Sequence, residues 1–252
     1  MHPVDESRYS RQIKLPQIGE AGQVKFDNAR VLILGMGGLG SPAALYLAAA
    51  GIGTLVICDY DVVEESNLQR QIIHAQESIG ELKTTSAAKA IKRNNPHTQV
   101  ISIDHAMQDN ELAEQVALAD VVLDCTDNFA SRFAVNRHCV SCGKPLVSAA
   151  AIRMSGQIMS YLPDYDGPCY QCIYSPEYET AMTCESEGVL GPVVGLMGTM
   201  QALHALLILL GETAAIEGKL ILFDGFNMMW QEVNIPRKPQ CPCCSEDVKK
   251  MD

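Results

Sequence analysis

The stretch VLILGMGGLGSP, Val31 to Pro42, sets four apolar residues before glycines at 35, 37, 38 and 40. An apolar run ending in glycines at G-x-G-x-x-G spacing marks a strand passing through a tight turn into a helix. Gly35, Gly37 and Gly40 then serve the turn, the close approach of backbone to a phosphate, and helix packing. A helix starting at Ser41-Pro42 aims N–H groups and its positive dipole end at an anion. Asp59 stands about 20 residues on, at the end of the next apolar run, where a carboxylate hydrogen-bonds a ribose hydroxyl. The motif predicts a nucleotide and leaves open whether it is NAD or another.

Working outward, strand and helix signals alternate. VLILG (31–35), TLVICD (54–59), QVISID (99–104), ADVVLDC (119–125) and PLVSAAA (145–151) read as strands, with helices from Ser41, around 83–94 and over 128–142. Short apolar runs separated by helical patterns are βαβ units on a parallel sheet, and strands apolar throughout are expected to be covered on both faces. QIMSYL (157–162), KLILFDG (219–225) and MWQEVNI (229–235) add later strands around a Tyr/Pro/Glu-rich loop at 163–187. The expected fold class is α/β: a Rossmann-like doubly wound sheet, mainly parallel, with antiparallel strands added toward the C-terminus and a structural zinc site. We expect one domain over residues 1–252, with an amphipathic helical arm (1–30), a nucleotide-binding half (31–151) and a second half (152–252).

The 252 residues are 47% hydrophobic, enough for a sizeable core, and carry a formal net charge of −11. That charge argues against a nucleic-acid surface, whose affinity comes from Lys and Arg on phosphates. Any phosphate ligand must meet locally concentrated positive charge. The start, MHPVDESRYSRQ, has no apolar run, so no secretory signal is expected and a cytoplasmic location is the default. The segment Val189 to Gly211 is long enough to span a membrane, but Pro192, Gln201 and His204 interrupt it, and a buried helix is the expectation.

Downstream of Asp59 the polar residues suit a triphosphate better than a hydride carrier. EESNLQRQ (64–71) holds Asn67, Gln69 and Arg70, Lys83 follows, and DCTDN supplies Asp127 and Asn128 after a strand. Arg and Lys match spread phosphate charge, and an Asp at a strand's C-terminal end suits Mg²⁺. Taken singly, each also reads blandly: Arg70 as a surface charge, Lys83 as a helix-face lysine, Asp127 as a helix cap.

Among ten cysteines, Cys169 with Cys172 and Cys241 with Cys244 form C-x-x-C pairs, as tetrahedral zinc sites often use. The fold must bring the pairs together. Disulfides are disfavoured in a cytoplasmic chain. Cys243 offers an alternative pair with Cys241 and is expected to be a spectator, while Cys58, Cys125, Cys139 and Cys142 read as core thiols. Cys184 lies in the polar stretch ETAMTCESEG, where Glu185 and Glu187 would oppose thiolate formation.

GMGGLG, CDYD at 58–61, SNLQRQ at 66–71, LDCTDN at 123–128, AAIRMSGQ at 150–157 and the two C-x-x-C pairs together resemble the bacterial ubiquitin-activating-enzyme-like family of ThiF and MoeB. The resemblance runs over nearly the whole chain. It implies a homodimer that uses ATP and Mg²⁺ to adenylate the C-terminal glycine of a small ubiquitin-like sulfur carrier, ThiS or MoaD. It implies Gly38 and Gly40 at the phosphates, Asp59 on the ribose, Asn67, Arg70 and Lys83 around the triphosphate, and Asp127 on the metal. Asp61, Ser66, Gln69 and Asn128 complete the implied nucleotide contacts. Arg11 matches an arginine that reaches into the neighbouring subunit's site, and Cys184 a cysteine linked to the carrier through a persulfide-derived bond, with a cysteine desulfurase or rhodanese as sulfur donor. SPAALYLAAAGIGTL and LFDG are more ThiF-like, AAIRMSGQI more MoeB-like, so the thiamine-pathway type is favoured over the molybdenum-cofactor type. Three other readings carry less: a related tRNA-modifying dehydratase, against which the acidic balance and complete cysteine quartet count; an NAD oxidoreductase, resting on the fingerprint alone; and a carrier-binding scaffold without catalysis.

Overall fold

The computed structural model describes residues 6–175 and 187–245. Its frame is one eight-stranded sheet in the order β3-β2-β1-β4-β5-β6-β7-β8. The strands are β1 (Arg30–Leu34), β2 (Thr54–Cys58), β3 (Gln99–Ile103), β4 (Val121–Asp124), β5 (Leu146–Ile152), β6 (Ser155–Tyr161), β7 (Lys219–Asp224) and β8 (Met229–Asn234). Strands β1 to β5 pair in parallel, and β6, β7 and β8 continue the sheet antiparallel. The mixed sheet matches the expected class.

Helices α1 (Glu6–Ile13), α2 (Gly19–Asn28), α3 (Gly40–Ala50), α4 (Lys83–Asn94), α5 (Asp109–Leu118), α6 (Phe129–Ser141), α7 (Tyr170–Ile173) and α8 (Gly191–Leu210) flank and extend the sheet. The N-terminal arm is two helices rather than one, because Pro16 falls in the intervening turn and Gly19 takes a positive φ of 58°. Helix α5 escapes the sequence pattern because it buries only Leu112 and Val116, although Asp109 and Glu111 suit its first turn. Strand β3 departs from the expectation of covering on both faces. It is the edge strand, with Gln99 and Ser102 exposed.

Two apolar layers hold the sheet. On one side, β1 residues Val31 and Ile33 pack with α3, α4 and α8; on the other, Leu32 and Leu34 pack toward α5, α6 and the cysteine pairs. Helix α8 is long and apolar enough to cross a membrane, yet it packs against α3 and strands β4, β5 and β6. Gln201, fully buried on α8, donates to the carbonyls of Asp124 and Val147 at 2.8 and 3.1 Å, so its polar interruption caps sheet carbonyls.

Candidate nucleotide site

Strand order reverses between β1 and β4, and the crevice beyond their carboxyl ends is where open α/β sheets place ligands. There the chain forms a cavity of about 670 Å³. Gly35, at φ +95°, makes the turn out of β1, and a Cβ there would sit 2.6 Å from the Cys125 carbonyl oxygen. Gly40 serves packing: a Cβ would lie 2.0 Å from the Gly35 carbonyl oxygen, so only glycine lets α3 approach. Gly37 and Gly38 border the cavity. A Cβ on Gly38 would press on Val194 at 3.0 Å, whereas one on Gly37 would meet only Gln71 Nε2 at 3.6 Å.

Asp59 also borders the cavity, its carboxylate fixed by the N–H groups of Met36 and Asp61 at 2.7 and 2.9 Å. Lys83, at the start of α4, is buried and donates to Asp61 at 2.7 Å. Arg70 is held by a bond from Nη1 to the Ser66 carbonyl at 3.0 Å. Asp127 and Asn128 reach the cavity from the loop after β4, and the Asn128 side chain caps α6 by accepting from Ser131 N–H at 2.9 Å. The predicted Gly38, Asp59, Asp61, Arg70, Lys83, Asp127 and Asn128 therefore meet around one space.

Four other predicted positions form the surrounding framework and do not border the cavity. Asn67 is buried in a capping box with Glu64, and Ser66 donates to Glu64 at 3.2 Å, so both shape the 3₁₀ turn that leads to Arg70. The Gln69 carbonyl packs against Gly191 at the start of α8, and Gly40 supports α3 as described. Arg11 is exposed on α1 and is not part of the cavity wall. Cys184 lies outside the described residues. Its predicted neighbour Glu187 accepts a bond from Arg153 Nε at 3.0 Å.

The structure adds wall residues that the sequence reading passed over. Gln71 is buried at the rim, and its Oε1 finds no partner among the described residues. Phe129, Arg132, Tyr170 and Tyr174 line the side toward α6, with the Tyr170 and Tyr174 rings 4.7 Å apart. Arg132 donates to the Thr126 carbonyl at 2.6 Å. Burial pulls the guanidinium down, but the Asp124 carboxylate and Tyr170 outweigh it, so the net shift is upward. Cys58 also borders the space and is pushed up to about 12 by burial and by Asp59, so its thiol is neutral at physiological pH. Position 132 had one available signal, an arginine one helical turn past a capping Asn; the tyrosines had none.

Further along α6, Cys169, Cys172, Cys241 and Cys244 are buried with their sulfurs all within 4.8 Å of one another. Sγ of Cys169 and Cys241 are 3.7 Å apart, and those of Cys172 and Cys244 3.5 Å. Sulfurs about 2.3 Å from a zinc ion span tetrahedral edges of about 3.8 Å, so this donor set fits the ion. Cys243 is buried beside the quartet but outside it. Cys58, Cys125 and Cys139 are buried and Cys142 partly so.

The ThiF family profile matches residues 9–243. The chain belongs to the ThiF family. It is 45% identical over 245 residues to the sulfur carrier protein ThiS adenylyltransferase of Escherichia coli, covering 97% of both chains. It is 41% identical over 239 residues to the Escherichia coli molybdopterin-synthase adenylyltransferase, covering 95% of this chain and 96% of that one. Relatives named adenylyltransferase and sulfurtransferase MOCS3 are longer; the chain spans 54% of the one from Drosophila sechellia. Among solved structures, Escherichia coli MccB with MccA-N7isoASN superposes with a TM-score of 0.83 at 25% identity, covering 94% of this chain and 75% of that one. The cavity of this ThiF-family chain thus sits in a fold shared with MccB.

Proposed function

We propose that the chain is an ATP-dependent adenylyltransferase that activates the C-terminal glycine carboxylate of a ubiquitin-like sulfur carrier of the ThiS type as an acyl-adenylate, releasing pyrophosphate. The observation that carries this reading is the meeting of the glycine loop, Asp59, Arg70, Lys83 and Asp127 around one cavity. Its likeness over the full length of a ThiS adenylyltransferase supports it. A terminal carboxylate, with a pKa of about 3.3–3.7, is ionised at neutral pH and needs no general base. One of its oxygens bonds the α-phosphorus as the bond to the β-phosphate oxygen breaks. The protein's task is positioning and charge neutralisation, which Arg70 and Lys83 supply. The ionised carboxylate is itself the nucleophile, which therefore comes with the carrier. Asp127 would hold Mg²⁺, which spreads the charge of the departing pyrophosphate. The four cysteines would hold a structural Zn²⁺ with no open position.

A homodimer accompanies this reading, with Arg11 completing the partner's site. Leu196, Met200, Leu203 and Leu207 form a partly exposed apolar stripe at helical spacing on α8, which supports it. We assign Cys184 to sulfur handling after adenylation, with a cysteine desulfurase or rhodanese as donor, and place the protein in the cytoplasm. The second reading, activation of MoaD, is favoured by the 41% identity to molybdopterin-synthase adenylyltransferase. ATP–pyrophosphate exchange measured with each carrier separates them: exchange only with ThiS supports the first, exchange only with MoaD the second, and none with either overturns the assignment.

A further inference from the structure

Helix α6 touches both the cavity and the cysteine quartet. At its start, Phe129 and Arg132 face the cavity. Further along, Asn136 is fully buried, and its amide is used at both ends. Its Oδ1 accepts the Tyr170 N–H at 2.8 Å, and its Nδ2 donates to the Cys243 and Cys169 sulfurs at 3.2 and 3.6 Å. Tyr170 directly follows Cys169 in the chain. Its ring meets Phe133 of α6 edge-on at 5.5 Å and lies tilted against Tyr174 at 4.7 Å. The six residues from Cys169 to Tyr174 therefore carry two sulfurs of the quartet and two aromatic walls of the cavity.

We propose that metal occupancy of the quartet and ligand occupancy of the cavity are energetically coupled, with Asn136 as the positioning residue that joins them. With a cation at the centre, Cys169 and Cys172 are held in place, and the short α7 holds Tyr170 against α6. Without one, four crowded sulfurs have nothing to draw them together, and the stretch is free to shift. Any shift carries the two tyrosine rings with it, because Asn136 grips the backbone at Tyr170 and the sulfur at Cys169 with one rigid amide. Linkage then requires reciprocity: a ligand that tightens the wall tightens the metal by the same factor.

The inference rests on the cavity being the nucleotide site, and the test separates the two. Zinc-loaded full-length protein is mixed with a colorimetric chelator, and zinc release is timed with and without ATP and Mg²⁺, while ATP binding is measured by calorimetry. We expect ATP to slow release about tenfold, within the usual span of coupling between sites. Asn136→Ala should still bind one zinc and ATP but lose the effect of ATP on release. Asn136→Asp retains an acceptor for the Tyr170 N–H and lacks a donor to the sulfurs, so it should lose the effect as well. If these variants do not fold, Tyr170→Leu, which leaves every cysteine in place, should bind zinc at full stoichiometry with release insensitive to ATP. ATP that binds without changing the wild-type release rate overturns this inference alone. Absence of ATP binding overturns the nucleotide reading and this inference with it.

Discussion

Gly37 and Gly40 sit three residues apart in one loop, and a methyl group added to each meets opposite surroundings. At Gly40 it would lie 2.0 Å from the Gly35 carbonyl, so Gly40→Ala should force α3 off the sheet at a cost of about 3 kcal/mol or more. At Gly37 it would meet only Gln71, so Gly37→Ala should keep stability within about 0.5 kcal/mol while weakening ATP binding. Thermal melts paired with calorimetry read both, and equal melting losses would refute the division of roles. His204 makes a second residue-scale prediction. Its Nδ1 pairs with Ser160 Oγ at 3.0 Å, its Nε2 has no partner among the described residues, and burial depresses its pKa to about 4. Because the folded value lies below the ordinary 6.5, its contribution to stability is complete above about 6.5 and is lost as pH falls toward 4. The slope approaches 1.4 kcal/mol per pH unit at its steepest, on the order expected for one proton. Denaturant titrations at stepped pH should show this slope, and His204→Gln should shallow it. His74, also lowered by burial, keeps part of it in place.

At the scale of elements, α8 shows why apolar length alone misleads. Its buried face docks on the sheet through Val193, Val194, Met197, Gln201 and Ala205, while Leu203 on the opposite side is 47% exposed. A helix that is apolar all round but covered on one side has a second face to bury. We predict that Leu203→Lys leaves circular dichroism unchanged and shifts sedimentation from dimer to monomer; an unchanged sedimentation coefficient would remove α8 from the interface. Helix α1 is tied down differently, by polar contacts. Asn95 Nδ2 donates to the Tyr9 hydroxyl at 2.8 Å and to the Ala48 carbonyl at 2.7 Å, and Gln12 donates to the Ala50 carbonyl at 2.9 Å. Those bonds fix the helix that carries Arg11. The long strands and helices were legible because their apolar period is local. Helix α5 was not, since two buried residues in ten make too weak a stripe.

For the molecule as a whole, the placement of Arg11 away from its own chain's cavity bears on how the sites are built. If Arg11 serves the partner, mixing Arg11→Ala with Asp127→Ala protein should restore roughly a quarter of wild-type exchange activity, since about half of the dimers are mixed and each has one intact site. No recovery after subunit exchange would mean that Arg11 does not act across the interface, and full activity of Arg11→Ala protein alone would place it outside the reaction. The glycine loop, Asp59, Lys83 and Asp127 were legible in the sequence because each follows a strand end or opens a helix, and a parallel sheet brings such ends to one edge, while Arg70 was marked by the polar stretch EESNLQRQ between them. By itself, then, the sequence determined the βαβ order, the sheet edge that carries the glycine loop and the two C-x-x-C pairs, all set by short-range pattern and spacing. Only the tertiary structure decided that Cys169 and Cys241, 72 residues apart, lie 3.7 Å from each other, and that Gln71, Arg132, Tyr170 and Tyr174 border one cavity. It also left Asn67, Gln69 and Gly40 off the cavity wall. Those outcomes depend on how α6, α7 and α8 pack across the sheet, and packing between elements distant in sequence leaves no periodic trace in the chain.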